Sequence, residues 1–132
     1  DSESAQIQFY GRVPNSRTRQ IVAEADFTLL LRPLRKANQF GFPSKLAESM
    51  AVGTPVIANN FSDLALHLTD NDNAIFLPNL NLKTVVGALS RAAAMTPAQR
   101  REMAERALAK AREQFAPSAV SGALSEFLRP QT

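Results

Sequence analysis

Residues 43–58 have the sequence PSKLAESMAVGTPVIA, in which a helical pattern leads directly into an apolar strand. Pro43 suits the first position of a helix, where the N–H that proline lacks has no intrahelical partner. The apolar residues that follow recur at the spacing of one helical face, at Leu46, Ala47, Met50 and Ala51. Gly53 predicts the end of this helix, and residues 55–58 have the continuous apolar character of a strand covered on both faces.

Strands and helices alternate on both sides of this stretch. Short apolar runs predict further strands over residues 7–10, 27–31 and 74–77. Helices are predicted over residues 16–25 and 63–68, with Ser16 and Ser62 as their respective N-caps.

The last part of the chain is predicted to be helical. A helix begins at residue 82, and its predicted inward stripe consists of Leu82, Val85, Val86, Leu89 and Ala93. Thr96 and Gln99 have the spacing of a capping box, which predicts a second helix that extends to about Phe115. A final helix is predicted over residues 117–128, so residues 97–128 are expected to form carboxy-terminal helices.

This alternation predicts an α/β fold with a Rossmann-like parallel sheet flanked by helices. We expect residues 1–132 to belong to one such domain, because this length fits a single hydrophobic core. Ligands of such sheets bind in the crevice beyond the carboxyl ends of the strands. Residues 32–45 leave a strand at that end and enter a helix, so we place this loop at the mouth of a binding site.

Basic residues are concentrated around this loop, and the whole chain has a formal net charge of +3. Between Gly11 and Lys45, only Glu24 and Asp26 oppose seven basic residues: Arg12, Arg17, Arg19, Arg32, Arg35, Lys36 and Lys45. Such an excess suits a phosphate-bearing ligand or an anionic membrane surface, and a solvated basic face explains it equally well. We expect no nucleic-acid partner, because the chain has one Tyr and no Trp and does not interleave basic with aromatic residues.

Composition also bears on compartment and cofactors. No apolar run approaches the ~20 residues of a membrane-spanning helix, and the first residues, DSESAQ, do not resemble a signal peptide. The absence of Cys excludes a disulfide and favours a reducing cytoplasm. With no Cys and a single His, we expect no metal and no other cofactor. The basic excess adds the expectation of contact with the inner face of the membrane.

The segment from Phe40 to Glu48 combines a flexible turn with the start of a helix. Free amides near Ser44 and Lys45 favour an anion there, and the helix dipole adds to this preference. Ser44 also offers a hydroxyl, and Lys45 offers a mobile positive charge. Glu48 lies about one turn further along, where a carboxylate can accept two hydroxyls of a ribose. The alternatives for Glu48 are a solvated helix acid and a salt bridge to Lys45.

The run from Gly11 through Phe115 resembles the carboxy-terminal half of family-four retaining glycosyltransferases of the GT-B fold. The matching segments are IQFYGRV at 7–13, IVAEADFTLLLRP at 21–33, FPSKLAESMAVGTPVIANN at 42–60 and DNDNAIFLP at 70–78. Residues 43–58 are similar to the P-S/T-K-x-x-E-x-x-A-x-G-x-P-V-I variant of many capsule and lipopolysaccharide sugar transferases.

The resemblance implies roles for residues of the loop and helix. In that family the helix acid at the position of Glu48 contacts the ribose of the sugar donor. The helix tip and the loop before it contact the diphosphate and the sugar, which implies Ser44 and Lys45 for phosphate. Gly41 and Phe42 would then lie near the donor sugar.

The chain departs from the family at Phe40, where many members have a second Glu that holds the sugar hydroxyls. Asn38 or Gln39 could replace it, since either side chain can bond a hydroxyl, and ordinary loop polar residues are the alternative. The predicted donor-binding set is Arg32, Asn38, Gly41, Phe42, Ser44, Lys45 and Glu48.

The resemblance also raises an expectation about the sheet. Family half-domains usually open with two strands before the one matching residues 7–10, and these strands carry basic residues that hold the diphosphate. In the strand order 3-2-1-4-5-6 they would lie between that strand and the others. We therefore expect either that the amino-terminal side is incomplete or that the first strand pairs differently, for example with another copy. We expect a further, acceptor-binding domain of the same protein as a partner, and no catalysis by the 132 residues alone.

Two functional hypotheses result. In the first, the intact protein is a retaining hexosyltransferase that moves a sugar from a nucleoside-diphosphate donor to a hydroxyl of an acceptor sugar or lipid-linked glycan, in cell-surface polysaccharide synthesis. In the second, the chain is a non-catalytic module derived from such a domain that binds a nucleotide or a partner, which Phe40 favours. A receiver-type domain is not expected, because the necessary cluster of acids at strand ends is missing.

Overall fold

The computed structural model describes residues 6–35 and 44–115, and from residue 15 onward its helices and strands alternate as the sequence predicts. The helices are α1 (Asn15–Glu24), α2 (Ser44–Ala51), α3 (Leu82–Ala94) and α4 (Pro97–Gln114), with a short 3₁₀ helix at Leu64–Leu66. The strands are β1 (Thr28–Leu30), β2 (Val56–Asn59) and β3 (Ile75–Leu77). The predicted final helix over residues 117–128 lies outside the described residues.

The three strands of the described residues form one parallel sheet in the order β1-β2-β3. Leu29 is in register with Ile57, and Ile57 is in register with Ile75. Because all strands point the same way, their carboxyl ends meet at one edge, after Leu30, Asn59 and Leu77, which we call the carboxyl edge. The prediction of an α/β fold with a parallel sheet flanked by helices is confirmed.

Each face of the sheet carries its own hydrophobic cluster. On the first face, which we call the α2 face, Leu30 and Val56 pack with Leu46 and Met50 of α2. On the second face, the α3 face, Ile57 and Ile75 cluster with residues of α3 that include Ala88. Successive strand residues point to opposite faces, which is why neighbours in β2 belong to different clusters. Helix α4 contributes residues to both clusters and therefore connects the hydrophobic layers on the two faces of the sheet.

Helix α2 is fixed to the sheet by a buried serine. The Ser49 hydroxyl oxygen lies 2.7 Å from the Thr54 carbonyl oxygen and 2.7 Å from the Thr28 hydroxyl oxygen. Gly53 ends the helix as predicted, with φ of 77°, and its N–H donates to the Met50 carbonyl at 3.0 Å. This anchor sets the position of the residues at the other end of α2.

The prediction of a strand over residues 7–10 is wrong. The segment has no regular secondary structure and pairs with none of the strands in the described residues, and Ile7 and Phe9 are 80% and 91% exposed. A strand is stabilised by its inter-strand hydrogen bonds, and partial apolar alternation does not supply a partner.

Both serine caps were also predicted wrongly. Helix α1 begins at Asn15, one residue before Ser16, because the Pro14 carbonyl accepts the first amide bonds and no side chain caps the helix. Ser62 has φ of 53°, whereas a capping residue needs an extended backbone, and Asp63 precedes the 3₁₀ helix instead. The Thr96 capping box is confirmed, with bonds of 2.9 Å and 3.1 Å to Gln99.

The inward stripe predicted for α3 is turned relative to the observed one. Leu82 and Val86 are 79% and 52% exposed, whereas Ala88 is buried and Val85 and Ala92 are partly buried. Ala88 packs against Ile57 and Ile75 of the sheet, so the face of α3 that carries it is turned inward. None of the helices within the described residues is long and apolar enough to cross a membrane.

Candidate functional site

The predicted binding helix starts at the carboxyl edge of the sheet. Ser44 is the first residue of α2, and the side chains of Ser44 and Lys45 are exposed. The chain leaves β1 at this edge and returns to it at Ser44, so the amides of the first turn, which have no partner within the helix, lie at the crevice beyond the strands. Those amides and the positive end of the helix dipole suit an anionic ligand.

Glu48 lies one turn further along α2, at an open cleft. The cleft has a volume of about 350 Å³ and lies between α1, α2 and the end of α4, lined by Arg19, Ala47, Glu48, Ala51, Val52 and Phe115. Glu48 is exposed, and within the described residues it makes no ion pair, so the salt bridge to Lys45 is not formed. The carboxylate is therefore available to a ligand or to solvent.

Arg32 follows β1 at the same edge and is held there by Asn59. The Arg32 N–H donates to the Asn59 side-chain oxygen at 2.8 Å, and the Asn59 amide group donates to the Arg32 carbonyl at 2.7 Å. The Arg32 guanidinium carbon lies 5.4 Å from the ring centroid of Phe61, a buried residue that follows β2. Asn59 and Phe61 were not predicted from the sequence, although a polar residue at the end of an apolar run indicates a position at the carboxyl edge.

Part of the predicted donor-binding set can be located. The structure brings Ser44, Lys45 and Glu48 onto α2 and places Arg32 at the same edge of the sheet. The remaining predicted positions lie outside the described residues: Asn38, Gly41 and Phe42, together with Gln39, Phe40 and Pro43.

A second cleft, of about 360 Å³, lies near the start of β3 and beside α3 and α4. Its arginines already have carboxylate partners. Arg91 pairs with Asp70 at 3.1 Å, and Arg106 pairs with Asp72 at 3.5 Å. This cleft thus offers an anion less free positive charge than the start of α2. Among residues 6–35 and 44–115, no three His, Cys, Asp or Glu side chains lie close enough together to bind a metal.

Comparison with known proteins identifies the family. The profile of the glycosyl transferase-like family matches residues 2–124. The chain belongs to this family. The match includes the start of α2, Glu48 and all the strands of the described residues.

A solved structure shows the same fold. Sucrose-phosphate synthase from Thermosynechococcus elongatus superimposes with a TM-score of 0.71 at 19% sequence identity. The alignment covers 91% of this chain and 29% of that chain, so the chain spans less than a third of the length of that synthase. No curated protein matches the chain significantly. Family and fold together support a glycosyltransferase domain of the GT-B type, as the sequence resemblance implied.

Proposed function

We propose that the chain is the donor-binding part of a retaining glycosyltransferase that takes a sugar from a nucleoside diphosphate. The observation that carries the proposal is the arrangement along α2. Ser44 and Lys45 present a positive charge and amides without an intrahelical partner at the carboxyl edge, and Glu48 lines a cleft one turn away. Residues 1–132 would then form part of a Rossmann-like donor-binding domain, with its carboxy-terminal helices over residues 97–128.

The order of the groups along α2 matches the order of groups in the ligand. A diphosphate at the first turn is stabilised by backbone amides, the helix dipole and Lys45. The Glu48 carboxylate, about one turn away, can accept both hydroxyls of the adjacent ribose. Arg32 supplies a further positive charge at the same edge.

The chemical contribution of these groups is electrostatic. When the glycosidic bond to the donor breaks, negative charge accumulates on the leaving diphosphate. Groups already aimed at that charge stabilise the transition state without reorganising. We assign Arg32, Lys45 and the first amides of α2 to this role, and Asn38, Gly41 and Phe42 to contacts with the donor and its sugar.

The remaining parts of the proposal concern the intact protein. Its acceptor would be a sugar or lipid-linked glycan hydroxyl, bound by a further domain of the same protein, in the synthesis of capsule or lipopolysaccharide. The cysteine-free composition supports a location in the cytoplasm. The excess of basic residues between residues 11 and 45 supports contact with the inner face of the membrane.

Isothermal titration calorimetry with UDP, GDP and dTDP tests this proposal. We expect one of them to bind, and Glu48→Ala to weaken its binding roughly 10- to 100-fold, the equivalent of hydrogen bonds to a charged group. Glu105→Ala is the matched control, because it removes another exposed carboxylate, from α4. Equal affinities of the wild type and Glu48→Ala would contradict the assignment of Glu48.

A second candidate is a non-catalytic module that binds a nucleotide or a partner. Phe40 favours it, because many members of the resembled family have a sugar-binding Glu at that position. The two candidates differ in a transfer assay on the intact protein. Nucleotide binding that depends on Glu48, without any sugar transfer, would support the module.

A further inference from the structure

We propose that Asn59 is a positioning residue that holds Arg32 in place to bind the diphosphate of the donor. This inference rests on the proposed function, because it names the group that Arg32 recognises. Asn59 ends β2 and is 2% exposed, so it cannot contact a ligand in the crevice directly.

The Asn59 side chain uses both of its functional groups on one residue. Its oxygen accepts from the Arg32 N–H at 2.8 Å, and its nitrogen donates to the Arg32 carbonyl at 2.7 Å. The pair continues the hydrogen bonding between β1 and β2 just beyond the last paired residues, Leu30 and Ala58. It therefore fixes the backbone at the point where the chain leaves the sheet for the binding loop.

The Arg32 side chain lies on the same side of the sheet as α2. Its guanidinium lies over Phe61, and Phe61 belongs to the cluster that contains Leu46 and Met50 of α2. Contact with an aromatic ring restricts the guanidinium and leaves its N–H groups available at the edge of the plane. With a fixed backbone and a restricted side chain, the charge is held at the edge where α2 begins.

The charge of Arg32 is not neutralised by the described part of the chain. Within residues 6–35 and 44–115, the guanidinium makes no ion pair and no side-chain hydrogen bond. A guanidinium binds phosphate oxygens through paired N–H bonds, and this bidentate contact depends on orientation. Loss of the two hydrogen bonds between Asn59 and the Arg32 backbone would therefore weaken binding of the diphosphate more than binding of the nucleoside.

The ratio of two affinities isolates this effect. Calorimetry would use whichever of UDP, GDP and dTDP binds most tightly, together with the corresponding uncharged nucleoside. The diphosphate-to-nucleoside affinity ratio reports the phosphate contacts alone. We expect Arg32→Ala to lower the ratio roughly tenfold or more, the equivalent of one charge-assisted contact.

Asn59→Ala should lower the same ratio about threefold or more, since a misplaced charge keeps part of its attraction. Arg32→Ala/Asn59→Ala should lower it no further than Arg32→Ala, because Asn59 acts through Arg32. If Asn59→Ala does not fold, Asn59→Ser serves instead. Its hydroxyl is neutral and too short to bond both the Arg32 N–H and the Arg32 carbonyl.

Asn73→Ala is the matched control. Asn73 is also buried, at 4% exposure, and also bonds the backbone twice, to the Thr69 N–H and the His67 carbonyl, each at 2.9 Å. It lies before β3, away from the carboxyl edge, so its loss should reduce stability and leave the ratio unchanged.

Three outcomes separate the inference from the proposed function. Binding of none of the three nucleotides by the wild type would overturn both. Nucleotide binding with equal ratios in the wild type and the Asn59 variants would overturn the positioning role alone. An equal fall of the ratio in Asn73→Ala would also overturn it, because general loosening would then explain the effect.

Discussion

Replacement of Ser49 by Ala tests how α2 is held against the sheet. The Ser49 hydroxyl is buried and lies 2.7 Å from both the Thr54 carbonyl oxygen and the Thr28 hydroxyl oxygen. Thr54 is itself buried, so its carbonyl would lose a hydrogen bond in a place where water cannot replace it. Leaving such a group unpaired costs about 1–3 kcal/mol.

A gain in helix propensity partly offsets this loss. Alanine is a better helix former than serine by about 0.5 kcal/mol. Ser90→Ala measures that gain separately, because Ser90 is exposed in the middle of α3. The change in the free energy of unfolding for Ser49→Ala, minus the change for Ser90→Ala, gives the contribution of the buried Ser49 hydrogen bonds.

Urea denaturation of both variants supplies these values, with an unchanged m-value as the check that compactness is unaffected. We expect Ser49→Ala to be less stable than Ser90→Ala by about 1–3 kcal/mol. A difference below about 0.5 kcal/mol, the usual range of surface substitutions, would refute the anchoring role of Ser49.

Other predictions concern chain turns and helix ends. Gly53→Ala should reduce the free energy of unfolding by about 1–2 kcal/mol, because a residue with a Cβ is strained in the left-handed region. Gly53 has φ of 77°, and no atom beyond its chain neighbours lies within 4 Å of the added Cβ, so the cost comes from the backbone angle and not from a clash. Gly87→Ala, in α3 and with equally free space, should instead stabilise by about 0.5–1 kcal/mol, and a loss of stability in the melting curve would contradict this. Thr96→Ala should cost about 1 kcal/mol through loss of the capping box. Thr96→Ser, which keeps the hydroxyl, should retain most of that stability in the same thermal melt.

Local sequence signals predicted the central part of the fold correctly. Continuous apolar runs identified β1 and β2, although only β2 is buried along its whole length and Leu29 of β1 is 55% exposed. Gly53 marked the end of α2, and Thr96 with Gln99 marked the start of α4. Each of these signals is carried by residues that are close to one another in sequence.

The wrong predictions depended on partners that are distant in sequence. The segment at residues 7–10 has strand composition, but its state depends on whether another strand lies beside it. The inward face of α3 depends on how the helix is oriented against the sheet, which turns Ala88 inward and Leu82 outward. The apolar pattern of the helix alone does not determine that orientation.

The part of the candidate site that lies on one helix could be predicted, whereas the contact between strands could not. Ser44, Lys45 and Glu48 could be selected because they follow one another on a single helix. Asn59 could not be assigned to Arg32, because the two residues are far apart in sequence and meet only when β1 pairs with β2. The contact between Asn59 and Arg32 therefore could not be predicted without the register of β1 and β2.

The central claim is that a diphosphate binds at the first amides of α2. Titration of ¹⁵N-labelled protein with the best-binding nucleoside diphosphate, followed by amide chemical shifts, tests it most directly. We predict the largest changes at Ser44 and Lys45, with smaller ones at Glu48. Largest changes around Arg91 and Arg106, with α2 unaffected, would show that the ligand binds in the other cleft and would contradict the account.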